Sequence, residues 1–210
     1  MQKYILFFIY ASRDAFFSYF CIMIYADIIQ QTVDALREGK TILYPTDTIW
    51  GVGCDARNNL AVNALYEIKE RDHSKSMLIL CSPDQLKDDR WVVAKGERPT
   101  TFILPAEIWR PALKVSIADN LPAVDGSLGI RVPNHPFCLE VMRLLGAPLV
   151  STSANLSGRP SPRNYDEIEP ELCRRVDYCV PPIPEVMNGE TQGSRIVKIN
   201  LDGTTTVIRP

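Results

Sequence analysis

Apolar positions along this chain switch between helical and strand spacing. Residues 4–25 form a strongly apolar stretch, interrupted at its middle by Arg13 and Asp14. Two charges at the centre of a span cost about 2.5–3.5 kcal/mol each, so the stretch does not read as a membrane helix. It also lacks the small-residue cleavage site of a signal peptide. Just beyond it, Ile28, Ile29, Val33 and Leu36 fall near helical spacing. With Asp27 as cap and Gly39 as stop, they predict a helix to about Glu38. Met23 therefore reads as the start of the ordinary domain, 23–210. Residues 1–22 read as an upstream extension or a poorly ordered tail, with a membrane-surface anchor as the other reading.

Further on, Thr41–Tyr44 is a short β-rich run ended by Pro45, followed by a polar loop. Asn59 stands where a cap belongs for a second helix carrying Leu65 and Ile68. Met77–Cys81 is fully apolar, as in a strand covered on both faces. Strands are expected at Thr101–Leu104, Leu128–Val132 and Leu149–Thr152. A helix is expected from Pro136 to Leu145, stopped by Gly146. Ser153–Pro162 reads as loop and Glu171–Arg175 as a short helix. The end reads as a hairpin, Arg195–Asn200 and Thr204–Arg209 about a turn at Asp202-Gly203. This interleaving predicts a mixed α/β sheet in one domain.

Composition narrows the chemistry. Lys plus Arg number 23 against 25 Asp plus Glu, a net charge of −2. A protein that coats nucleic acid carries a large positive excess, so any RNA contact here is a local patch. The six cysteines form no CxxC pair and no zinc spacing. They read as small buried hydrophobes in a reducing compartment, and the chain as cytoplasmic with no membrane association. His73 and His135 are the only histidines and read as surface loop residues. No metal site is expected.

Three polar clusters sit at the ends of apolar elements, where α/β folds place ligands. The first, Pro45-Thr46-Asp47-Thr48-Ile49-Trp50-Gly51, can line a pocket for a small polar ligand, and equally reads as a turn. In the second, Lys69 and Arg71 end a helix with Lys75 close behind. They suit phosphate oxygens, or simple helix termination by cations. The third, Ser151-Thr152-Ser153-Ala154-Asn155-Leu156-Ser157-Gly158, offers hydroxyls, an amide and backbone N–H groups to phosphates, or is a polar connection. It is neither a Walker loop nor a GxGxxG fingerprint, and no GxSxG elbow is present.

Taken together with Gly129-Ile130-Arg131-Val132-Pro133-Asn134-His135-Pro136, and in this order, the clusters resemble the YrdC/Sua5 family of threonylcarbamoyl-AMP synthases, from about Met23 to Arg209. The resemblance implies a twisted open α/β sheet with a basic concave face, ATP as substrate and Mg²⁺ arriving with it. Lys69, Arg71, Ser153 and Asn155 match the family's catalytic polar residues around ATP and the reacting carbamate. Thr46, with Thr48, Trp50 and Arg71, matches the threonine side. Arg131 and Ser151 match the nucleotide side, and Ser194 and Arg209 a late pair that closes it. The implied reaction joins L-threonine, bicarbonate and ATP into an adenylate for tRNA modification, handed to a threonylcarbamoyl transferase complex. A tRNA or double-stranded RNA contact would use the concave face.

Some positions depart from the pattern. Trp50 stands where Tyr is usual, Asp72 where Pro is common, and Leu80 or Cys81 where longer members have His. Ser194-Arg195 replaces a Ser-Thr pair, and the C-terminal domain of longer members is absent after Pro210. Two other readings fit the residues: a non-catalytic RNA-binding module using Lys69, Arg71, Lys75, Arg131, Arg159 and Arg163, and a different ATP-using carbamoyl transferase on the same fold.

Overall fold

The computed structural model describes residues 13–70, 77–94, 96–182, 184 and 192–210, and side chains of the first helix from residue 23 onward. Arg71, Asp72, His73 and Lys75, and the first 12 residues of the apolar extension, lie outside the described residues.

The elements in chain order are α1 (Arg13–Arg37), β1 (Ile42–Tyr44), β2 (Gly51–Asp55), α2 (Asn59–Ile68), β3 (Leu78–Leu80), β4 (Thr100–Leu104), α3 (Ala106–Ala112), β5 (Leu128–Arg131), α4 (Pro136–Leu145), β6 (Leu149–Ser153), α5 (Pro170–Arg175), β7 (Tyr178–Cys179), β8 (Arg195–Ile199) and β9 (Thr205–Arg209). The strands form one sheet in the order β7-β1-β2-β6-β3-β5-β4-β8-β9. Pairing is mixed: β3 runs parallel to β5 and β4 to β8, while β6 is antiparallel to both β2 and β3. This is the α/β class expected.

Helix α1 packs on α4 and the β1–β2 pair, burying Ile28, Ile29, Val33 and Leu36. It begins earlier than the sequence implied: Met23 and Asp27 lie inside it. The Asp27 carboxylate accepts a bond from the Gln31 side chain at 2.7 Å, an i,i+4 contact rather than a cap. The cap of α2 is Asn58, not Asn59. Its Oδ1 accepts from the N–H groups of Leu60 and Ala61 at 3.0 and 3.1 Å. Helix α4 starts on Pro136 and ends at Gly146 in the left-handed conformation (φ 71°), as read.

Strand β2 follows the polar loop and was not among the strands expected. Gly53 is there because the neighbouring backbone requires it. A Cβ at Gly53 would stand 2.1 Å from the Val150 carbonyl oxygen and 2.8 Å from the Tyr44 ring. Helix α3 also escaped the reading, since Pro111 sits within it near its end. His135 is buried, not on the surface. Its segment is drawn inward by the Asn134 N–H donating to the Asp47 carboxylate at 3.2 Å, and its ring stands edge-on to Phe137. Cys54, Cys81 and Cys138 are buried free thiols, and burial pushes all three upward in pKa.

Candidate functional site

Strand alternation builds the site. In β5, Leu128 and Ile130 are fully buried in the core, while Gly129 and Arg131 face the other way, into a cavity of about 720 Å³. Ser151 and Ser153 of β6, Thr101 of β4 and Leu78 of β3 line the same cavity. The sheet thus turns hydroxyls, a glycine and a guanidinium toward one hollow. The loop before β2 closes one side with Thr48 and Trp50, and Ser194 and Arg209 close the far end. Gly129 keeps the floor open, since a Cβ there would lie 3.1 Å from Leu78 Cβ.

Arg131 is 4% exposed and is fixed from the loop before β2. Its Nη1 donates to Thr48 Oγ1 at 2.9 Å, and its Nη2 lies 3.4 Å from Asp47 Oδ1. Its Nε, also buried, makes no hydrogen bond. Asp47 is in turn held by the Asn134 N–H. The loop is tight for a local reason: Thr46 Oγ1 donates to the Ile49 carbonyl at 2.8 Å and accepts from the Thr48 N–H at 3.1 Å. Trp50 is held edge-on against Tyr165, ring centroids 4.9 Å apart.

The second cluster acts differently from its appearance in the sequence. Lys69 caps the C-terminus of α2 and is 2% exposed. Its ammonium donates to the carbonyls of Ser153 and Asn155, and the Ser157 N–H donates to the Lys69 carbonyl at 3.2 Å. Asn155 Oδ1 accepts from Ser153 Oγ, while its Nδ2 donates to the Leu156 and Arg159 carbonyls, each at 2.8 Å. Lys69 and Asn155 therefore stand behind the cavity wall and hold the loop that presents Ser153.

At the far end, Ser194 Oγ bonds Thr101 Oγ1 at 2.8 Å. Arg209 donates from Nε to the Ser194 carbonyl at 2.7 Å. Its guanidinium is pushed below its ordinary pKa, first by burial and then by the positive charges of Arg131 and Arg98.

Seven candidate residues thus line one hollow: Thr48, Trp50, Arg131, Ser151, Ser153, Ser194 and Arg209. Thr46, Lys69 and Asn155 lie in the layer behind it. Sequence reading left out Thr101, Asp125 and Ser127, which also line the cavity. The signal for Ser127 was its place two residues before Gly129 and four before Arg131. Among the described residues no cluster of three or more His, Cys, Asp or Glu side chains could hold a metal. Also among them, no helix is long and apolar enough to cross a membrane.

The sequence profile of the Sua5/YciO/YrdC family, described as telomere recombination, matches residues 34–210. Threonylcarbamoyl-AMP synthases of Escherichia coli (strain K12) and Shigella boydii serotype 18 are 33% identical over 182 residues, covering 81% of this chain and 90% of theirs. Among solved structures, E. coli YciO superposes with a TM-score of 0.66 at 23% identity, over 87% of this chain and 88% of its own. P. abyssi Sua5, solved with L-threonine, gives 0.66 at 23% identity, and the chain spans 53% of its length.

Proposed function

This chain belongs to the Sua5/YciO/YrdC family, and from that premise we propose that it is a threonylcarbamoyl-AMP synthase, a nucleotidyltransferase acting on ATP, L-threonine and bicarbonate. The observation that carries the reading is the single cavity in which Arg131 and Arg209 face the hydroxyls of Ser151 and Ser153. Two guanidiniums at one hollow, of which only Arg131 has a carboxylate partner among the described residues, suit an anion, and hydroxyls on neighbouring strands suit nucleotide oxygens.

The reaction runs in two steps. The threonine amine attacks the bicarbonate carbon, and the C–OH bond breaks as hydroxide leaves with an amine proton as water, giving a carbamate. A carbamate oxygen then bonds to the α-phosphorus of ATP, and the bond to the bridging oxygen breaks, so that its electron pair leaves with pyrophosphate. Such a transfer needs positioning and charge neutralisation more than covalent help. Arg131, locked by Thr48 and Asp47, supplies a fixed charge that needs no reorganisation as charge develops. Ser151 and Ser153 bond nucleotide oxygens, and Lys69 and Asn155 hold Ser153 in place. Thr48 and Trp50 form the wall for the amino acid, with Thr46 setting the loop's shape. Arg71 supplies a second charge on the amino-acid and phosphate oxygens.

Mg²⁺ accompanies the nucleotide. Among the described residues the cavity offers one carboxylate, Asp125, which fits an ion held chiefly by phosphates. When bound, that ion neutralises phosphate charge. The adenylate then passes, in the cytoplasm, to an enzyme that transfers the threonylcarbamoyl group to a tRNA adenosine.

The test is pyrophosphate release by the purified chain with ATP and bicarbonate, with and without L-threonine. Threonine-dependent release supports the reading, and release indifferent to the amino acid counts against it. Replacing threonine by serine separates this enzyme from a carbamoyl transferase of other specificity.

A further inference from the structure

One end of the cavity is bordered by an arginine that belongs to none of the motifs shared with the family. Arg98, just before β4, donates from its guanidinium to the Gly193 carbonyl at 3.4 Å. From the other side, Arg209 lies directly over the same glycine: a Cβ at Gly193 would stand 2.9–3.1 Å from the Arg209 guanidinium atoms. Arg209 also bonds the Ser194 carbonyl at 2.7 Å and, from Nη2, Ser194 Oγ at 3.3 Å. The Gly193-Ser194 backbone is thus gripped by two guanidiniums, with the charge of Arg131 also felt at Arg209.

Several arginines elsewhere are neutralised. Arg57, Arg90, Arg143, Arg163 and Arg175 each pair with a carboxylate at 2.5–2.8 Å. Among the described residues, neither Arg98 nor Arg209 makes such a pair. Converging cations that lack a counter-charge, at the end of a ligand-sized hollow, call for a polyanion.

We propose that Arg98 is a phosphate-binding residue that holds, together with Arg209, the β- and γ-phosphates of the bound nucleotide, the pair released as pyrophosphate. This rests on the synthase reading above. Arg98 is exposed at the cavity's edge, where a leaving group can be held before it escapes to solvent. Adenosine monophosphate, which lacks both phosphates, does not reach it.

Isothermal titration of the full chain with ATP, AMP and pyrophosphate, for the parent, Arg98→Ala and Arg98→Lys, tests the assignment. Arg98→Ala is expected to weaken ATP and pyrophosphate about tenfold, the loss of one charge-assisted contact, while AMP stays within about twofold. Arg98→Lys keeps the charge but not the fork and falls between. Because Arg98 is exposed, the melting temperature of both variants stays near that of the parent. Unchanged ATP affinity in Arg98→Ala, with the parent binding ATP and releasing pyrophosphate, overturns the role of Arg98 alone. So does an equal loss for ATP and AMP. A parent that does not bind ATP overturns this role and the synthase reading together.

Discussion

Lys69 sits where the motif puts a catalytic cation, yet its ammonium is spent on two carbonyls of the loop after β6, those of Ser153 and Asn155. Removing it strands the Asn155 carbonyl, in a site where Lys69 itself is 2% exposed, while the Ser153 carbonyl keeps the Asn155 N–H at 2.9 Å. A buried acceptor left unsatisfied costs about 1–3 kcal/mol. For a domain of this size that lowers the melting temperature by roughly 2–12 °C, at about 2–4 °C per kcal/mol. The choice of replacement sharpens the argument. Lys69→Met fills the volume and keeps water out, so the Asn155 carbonyl stays bare. Lys69→Ala leaves room for water to reach it and softens the loss. The methionine variant is therefore expected to be no more stable than the alanine variant, the reverse of what packing alone predicts. Circular-dichroism melts and urea titrations of both variants provide the comparison. Threonine-dependent pyrophosphate release, measured well below each melting point, separates lost chemistry from lost fold. Melting within a degree of the parent, or a methionine variant clearly more stable than alanine, refutes the account of Lys69 as the clamp on this loop.

Further expectations concern other parts of the fold. Gly53→Ala drives a Cβ into the Val150 carbonyl, so it should abolish soluble expression or cut stability severely by melting. Gly51→Ala, whose Cβ would meet Ser151 Oγ at 3.1 Å and the Thr152 carbonyl at 3.3 Å, should be far milder. Asn58→Ala removes the α2 cap and should cost about 1 kcal/mol in urea unfolding, with turnover retained. Asp47→Asn leaves Arg131 buried without its counter-charge. Breaking a buried pair costs about 3–5 kcal/mol, and KM for ATP should rise as the guanidinium loses its orientation. The Asp125 carboxylate is held below its ordinary pKa, first by the Ser127 hydroxyl and then by the Ser127 N–H. Its stabilising contribution is present above the ordinary pKa of 3.8 and is lost as pH falls through the depressed value. Ser127→Ala should flatten that acid limb in pH-dependent melts.

Much of the fold was legible because its signals are local. Pro136 and Gly146 bound α4, and the Asp202-Gly203 turn placed the final hairpin. What escaped depends on partners distant in sequence. Strand β2 was not among the expected strands, because the constraint on Gly53 comes from Val150, almost a hundred residues on. His135 read as surface, because the Asp47 carboxylate that draws its segment inward belongs to another loop. The site divides in the same way. Residues of several motifs meet at one cavity, but a linear reading cannot tell a side chain on the cavity wall from one supporting it. So Arg131 and Ser153 stand with Lys69 and Asn155 in one motif list, and only the strand alternation in β5 and β6 separates wall from support. Ser127 was within reach of that alternation, two positions before Gly129.

The most direct test of the central claim is mass spectrometry of the product formed from ATP, L-threonine and isotopically labelled bicarbonate. The account predicts a threonylcarbamoyl adenylate carrying the label, formed one-for-one with pyrophosphate and only when all three substrates are present. An adenylate without the label, or pyrophosphate released with no such product, would contradict it.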